Sequence, residues 1–196
     1  SVSNSVGVCG AAVTYSVTSN DNCAGSSLTQ TAGLASGSVF PVGTTTNSFT
    51  VTDASNNTAT CSFTVTVNDT ELPTITCNAN VNISNDNGVC GAVVTYSNSS
   101  TDNCAGQTIA QTAGLLSGAT YPIGTTTNSF TVTDASNNTA TCSFTVTVND
   151  TELPTITCNA NVNVSNDLGV CGAVVTYSNS STDNCAGQTI AQTAGL

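Results

Sequence analysis

The sequence predicts an all-β chain: immunoglobulin-like β-sandwiches in tandem, repeated every 81 residues (90 − 9, the interval from Cys9 to Cys90), stapled by disulfides into an extended array. Three observations predict it. Cysteines recur at that fixed interval, at Cys9, Cys90 and Cys171 and again at Cys23, Cys104 and Cys185. Apolar residues alternate with polar ones at period two, the mark of half-buried strands, and no window shows helical spacing. Clusters of Ser, Asn, Asp and Gly (SNDNG, SNSSTDN, LLSGA, DASNN) punctuate each repeat into about seven short strands.

The repeats fix the organisation. Residues 44–82 are identical to 125–163, and residues 83–115 differ from 164–196 only at Ile83/Val164 and Asn87/Leu168, as in a long tandem array. The chain therefore divides into an incomplete repeat at 1–69 lacking its first strand, a complete repeat at 70–150, and an incomplete repeat at 151–196 lacking its C-terminal strands. With no initiator Met, leader or long apolar run, it reads as a mature chain or an excerpt of one.

Within the complete repeat the strands follow in order. PTITC places Ile75 and Cys77 on one face, and CGAVVTY places Cys90, Ala92, Val94 and Tyr96 together. SFTVTD points Phe130 and Val132 one way. In CSFTVTV, Cys142, Phe144, Val146 and Val148 share a face opposite Ser143, Thr145 and Thr147.

Composition removes most chemistry. The chain has 11 acidic residues and no Lys, Arg or His, for a net charge of −11. Imidazole bases, Schiff-base amines and anion clamps are all absent, so an enzyme is not expected. The charge repels nucleic acid and anionic membrane surfaces, so neither is an expected partner. Paired carboxylates can hydrolyse glycosides, but that needs a cleft at fixed separation, and the acids here recur only at joints between repeats. Ten Cys without a CxxC pair fit structural disulfides in an oxidising, extracellular compartment.

The run YPIGTTTNSFTVTDASNNTATCSFTVTVNDTELPTITC, with GVCGAVVTY and TDNC, resembles the hyalin repeat (HYR) domain, an immunoglobulin-like module found in tandem in extracellular proteins, bacterial surface adhesins included. The resemblance covers the whole chain and implies adhesion and extended stalks, not catalysis. The sequence departs from the family at Asn56 and Asn137, where Gly is usual, and at Asn78, where Pro is common. Asn can occupy the left-handed turn position that Gly would take.

In a sandwich of this kind PTITC runs alongside CSFTVTV, and the shared parity pairs Cys77 with Cys142. That bond closes most of a repeat whose core is small, for about 4 kcal/mol in the loop-entropy model. The remaining cysteines are expected to pair within a repeat, Cys90 with Cys104 and, by repetition, Cys9 with Cys23. The alternative bridges repeats lengthwise, Cys90 to Cys185 and Cys9 to Cys104.

The acids gather at the joint VNDTELP. The pole holding a repeat's N terminus should also hold the loop after the second strand and the turn between the last two, which collects Asp69, Glu71, Asp102 and Asp134. Carboxylates from several loops suit Ca²⁺ at inter-repeat joints. The plainer reading is solvated acids and turn formers, since Asp favours turns regardless of metal. Sequons for N-glycosylation stand at Asn56, Asn68, Asn82, Asn98, Asn137, Asn149, Asn163 and Asn179.

Two functions fit. One is a structural shaft, fibre or adhesin stalk whose partners are neighbouring repeats or identical subunits. The other is a recognition module for surface glycans or protein, for which the absence of Trp and the scarcity of Tyr leave little stacking platform.

Overall fold

The computed structural model describes residues 1–195, and among them every regular element is a strand. The first repeat holds β1 (Val2–Ser3), β2 (Gly10–Ala12), β3 (Ser27–Ala32), β4 (Val39–Pro41), β5 (Gly43–Thr52) and β6 (Thr58–Asn68). One sheet runs β1-β6-β5-β3 and a second pairs β2 with β4. The second repeat holds β7 (Thr74–Thr76), β8 (Val81–Ser84), β9 (Gly91–Val93), β10 (Ser99–Thr101), β11 (Thr108–Ala113), β12 (Thr120–Pro122), β13 (Gly124–Thr133) and β14 (Thr139–Asn149). Its sheets are β11-β13-β14-β8, β12-β9 and β10-β7. In the third, β15 (Thr155–Thr157) pairs with β16 (Ser180–Thr182).

The predicted parity holds within the strands, although Cys90, expected on the face of Ala92 and Val94, is exposed. Ala92, Val94, Phe130, Val132, Phe144, Val146 and Val148 are buried, and the Thr and Ser residues between them in β13 and β14 are not. Tyr96 packs edge-on against Phe144 at 5.0 Å, and its hydroxyl donates to Leu115 O at 2.7 Å. Tyr15 repeats this against Phe63 and Leu34 O. The hydroxyls thus give an otherwise apolar cluster a fixed polar exit.

One strand pairing differs from expectation. PTITC does not run alongside the last strand: β7 pairs antiparallel with β10, and the strand beside β14 is β8, in parallel register from Val146↔Val81 to Asn149↔Ser84. The first strand is split in two, with Cys77 just after β7, so the bond to Cys142 ties the β7 side to β14. The period-two signal read Ile75 and Cys77 correctly, but four residues of VNIS have no turn signal to announce a second strand.

Burial differs between the two repeats on the side where β7 lies. Phe144 is 2% exposed, whereas its first-repeat counterpart Phe63 is only half-buried and Cys61, the counterpart of Cys142, is exposed. Among the described residues no strand stands in the first repeat where β7 stands in the second, and the groove lined by Thr18, Leu28, Phe49, Val51 and Cys61 lies open.

A second feature was not foreseen. Asn128, fully buried, accepts from Leu115 N at 2.9 Å and from the Tyr121 hydroxyl at 3.0 Å, and Asn47 accepts likewise from Leu34 N. Each pins the loop that follows β11 or β3. Gly114, at φ +91°, is required there because a Cβ would sit 2.1 Å from Asn128 Oδ1.

The chain forms two compact units that do not coincide with the repeats. The first takes Ser1–Cys77, Asn98–Thr112 and Ser129–Ser143; the second takes Asn78–Ser97, Ala113–Asn128 and the chain from Phe144 on. The joint between repeats at 68–71 therefore lies inside one compact unit.

Candidate functional site: the joint between repeats

The joint is built from the turn outward. In DASNN, Asp134 Oδ1 accepts from Ser136 N at 2.9 Å and Asn138 N at 2.7 Å, and Oδ2 accepts from Asn138 Nδ2 at 2.8 Å. Asn137 takes φ 69° and Asn56 takes φ 68°, the left-handed position expected for the Asn that replaces Gly. Asn138 Nδ2 also donates to Asp69 O at 3.2 Å, which brings the turn to the joint.

Glu71 reaches into the preceding repeat. Its Oε2 accepts from Gly7 N at 2.8 Å and from Asn4 Nδ2 at 3.4 Å, while Asn4 Oδ1 accepts from Thr70 N at 3.0 Å. The contact recurs one repeat on: Glu152 accepts from Gly88 N at 2.8 Å, and Asn85 Oδ1 accepts from Thr151 N at 3.0 Å. The glutamate of VNDTELP is thus partnered by backbone N–H groups, a charge-assisted bond that needs no basic side chain.

Of the four acids expected at one pole, the structure brings Asp69 and Asp102 together and gives Asp134 and Glu71 to other partners. Carboxylate oxygens of Asp69 and Asp102 and the Cys104 sulfur lie within 4.8 Å of one another. Asp69 is 7% exposed. Its Oδ1 accepts from Glu71 N at 3.2 Å and from Asn103 Nδ2 at 3.4 Å. Asn103, which sequence reasoning passed over, also donates to Val8 O at 3.2 Å, across the joint. Its only signal was its place in TDNC between an acid and a cysteine.

The disulfides correct the expected connectivity. Cys77 bonds Cys142, as expected. Cys90 does not bond Cys104, nor Cys9 Cys23: Cys9 bonds Cys104 and Cys90 bonds Cys185, each across 95 residues and each joining one repeat to the next. The reason is spatial. Asn103 and Asn184 dock on the carbonyls of Val8 and Val89, which sets the following cysteine against Cys9 or Cys90, with Cα–Cα distances of 4.8 and 4.9 Å. Cys23, Cys61, Cys158 and Cys171 are exposed thiols.

The sequon asparagines are exposed at Asn56, Asn68, Asn82, Asn137, Asn149, Asn163 and Asn179 and half-buried at Asn98. Asn149 Nδ2 donates to Asn82 Oδ1 at 2.6 Å, so these two hold each other across β8 and β14.

A family model for the HYR domain matches residues 3–67 and 68–148. The chain belongs to the HYR domain family. Hyalin from Strongylocentrotus purpuratus is 36% identical over 159 residues, covering 78% of this chain and 13% of its own length. The family is of adhesion type and non-enzymatic, and the disulfide-bonded fold fits an extracellular protein. Among solved structures, the protocadherin gammaB7 EC3-6 cis-dimer is similar with TM-score 0.34 at 16% identity, over 67% of this chain and 43% of that one. Human CDH23 EC21-23 is similar with TM-score 0.33 at 13% identity, over 76% and 61%. No helix among the described residues is long and apolar enough to cross a membrane.

Proposed function

We propose that this HYR array is a load-bearing shaft, a segment of an extracellular stalk or filament whose repeats transmit tension and carry out no chemistry. The observation that carries the reading is the order of the disulfides. A bond runs from Cys9 to Cys104, the backbone returns from Cys104 to Cys90, and a second bond runs from Cys90 to Cys185. Bonds and short backbone segments thus alternate in one covalent rail that passes from repeat to repeat and bypasses most of each sandwich. A recognition module needs no such rail, because binding is done by loops on a rigid scaffold whatever joins it to its neighbours.

Its partners are neighbouring repeats, in the same polypeptide or in identical subunits. Binding of surface glycans by the repeats themselves is the second reading, and no observation at the joint favours it. Antibodies to this chain, applied to the intact source material under the electron microscope, should decorate stalks or filaments at a regular axial interval. Decoration confined to isolated globular particles that retain glycans would overturn the proposal.

A further inference from the structure

We infer that the joint between the first two repeats binds one divalent cation, Ca²⁺, through Asp69, Asp102 and Asn103. This set differs from the acids the sequence suggested. Glu71 and Asp134 are set aside because they accept from N–H groups, Glu71 through Oε2 and Asp134 through both carboxylate oxygens, and neither carries a buried oxygen without a donor. Asn103 enters in their place.

Three buried oxygens carry the inference. Asp69 Oδ2, Asp102 Oδ1 and Asn103 Oδ1 are each buried and find no hydrogen-bond donor. The Asp69 side chain is more than nine-tenths buried, at 7% exposure, and the Asp69 and Asp102 carboxylates lie within 4.8 Å of each other. An acceptor buried without a donor is costly, and a carboxylate more so, unless a cation or proton meets it. Acceptors cannot satisfy one another. With no Lys, Arg or His in the chain, no side chain can supply the positive charge.

The arrangement recurs. At the next joint Asp183 Oδ1 and Asn184 Oδ1 are again buried acceptors without a donor, and Asn184 donates to Val89 O at 3.1 Å as Asn103 does to Val8 O. Asp150, the counterpart of Asp69, is exposed there, so the complete three-residue set stands at the first joint alone among the described residues.

The donors select the ion. All are oxygens, two carboxylates and an amide carbonyl, which suits a hard cation. The nearby sulfur of Cys104 is spent in the bond to Cys9, so no thiolate is available for a soft metal. Ca²⁺ tolerates an irregular oxygen shell completed by water, whereas Mg²⁺ demands near-ideal octahedral geometry.

The test uses the oxidised 196-residue chain, dialysed at neutral pH against CaCl2 or against EDTA. Elemental analysis should find one calcium retained per chain. At a free concentration a hundredfold above the dissociation constant, the first melting transition should rise by about 5–10 °C over EDTA. Mg²⁺ should raise it less, and an equal rise would overturn the choice of ion. Asp102→Asn should weaken calcium binding at least tenfold while melting no lower than the parent in EDTA, because it removes an unpaired buried charge. Asn103→Asp, which keeps an oxygen ligand but loses the Nδ2 donor to Val8 O and Asp69 Oδ1, should melt lower than the parent in EDTA. Glu71→Gln should bind calcium like the parent.

Absence of retained calcium, or one melting temperature in all three conditions, would overturn the site. So would unchanged binding by Asp102→Asn. A chain that binds calcium but never forms stalks would leave this inference standing and remove only the preceding one.

Discussion

Stretching the oxidised chain between its two ends should reveal how little of it lies on the load path. A pull on Ser1 passes 8 backbone steps to Cys9, crosses to Cys104, returns 14 steps to Cys90, crosses to Cys185 and runs 11 steps to residue 196. At about 3.5 Å per residue, those roughly 33 steps and two bridges give a limiting length of about 125 Å. Full reduction releases 195 steps, or about 680 Å. Single-molecule force spectroscopy on the chain, with and without a reductant, reads this difference directly. Two variants make the test sharp. Cys9→Ser breaks the first bridge and leaves about 100 steps before the chain is taut, so the limiting length should rise to about 350 Å. Cys142→Ser opens a loop of separation 65 that lies off the path, so it should not lengthen the taut chain at all. A Cys142→Ser chain that extends further than its parent, or an oxidised parent that reaches several hundred ångströms, would refute the rail.

Other expectations follow from the same contacts. Cys142→Ser, neutral in length, should still cost about 2–4 kcal/mol in denaturant melts, since the bond closes most of the second repeat; a loss under about 0.5 kcal/mol would contradict that role. Gly114→Ala should destabilise by more than about 2 kcal/mol, because it combines a left-handed φ with a Cβ driven into Asn128 Oδ1; equal stability would show that the Asn128 loop yields freely. Asn137→Gly should hold stability to within about 0.5 kcal/mol, whereas Asn137→Val should lose about 1–2 kcal/mol at φ 69°. Bonds from Asn57 and Ser55 hold the Asp53 carboxyl below its ordinary 3.8. Its contribution to the turn should be complete above that value and vanish as pH falls through the lower folded one, and a carboxyl titration by NMR with a midpoint at or above 3.8 would refute it.

The β-sandwich was legible because period two is a local property. Phe130, Val132, Phe144, Val146 and Val148 each declare their face by parity alone, and the core follows. The split first strand was not, because VNIS pairs through β14, more than sixty residues away, and nothing local marks it. Connectivity of the cysteines was legible only as alternatives. Cys90 and Cys104 are near in sequence, but what decides their partners is Asn103 docked on Val8 O and Asn184 on Val89 O, contacts at a separation of 95. The candidate site was half visible for a related reason. Asp69 and Asp102 stand out as charges in a chain with few, yet Asn103 is one Asn among many until its buried, donorless oxygen is seen. Glu71 looked like a ligand because sequence shows a charge and not the backbone N–H of Gly7 that meets it.

The rail and the proposed cation are physically linked through three consecutive residues. Asp102 and Asn103 immediately precede Cys104, and the bond to Cys9 fixes that cysteine against the preceding repeat. Ordering two polar side chains at a joint costs conformational entropy, and the disulfide lowers that cost by restricting the backbone beforehand. A cation held by Asp69 and Asp102 would in turn bind the joint segment to the TDNC loop, on the same side as the bridge. Breaking Cys9–Cys104 should therefore weaken calcium binding even though sulfur is no ligand. Cys9→Ser, which leaves Asp69, Asp102 and Asn103 intact, should raise the calcium concentration needed for half-saturation by about tenfold or more, equivalent to roughly 1.4 kcal/mol of lost preorganisation. Titration of the chain with CaCl2, monitored by calorimetry, measures this. An unchanged half-saturation point would mean that hydrogen bonds from Asn103 and Asn138 hold the loop without the bridge, and that the two devices act independently.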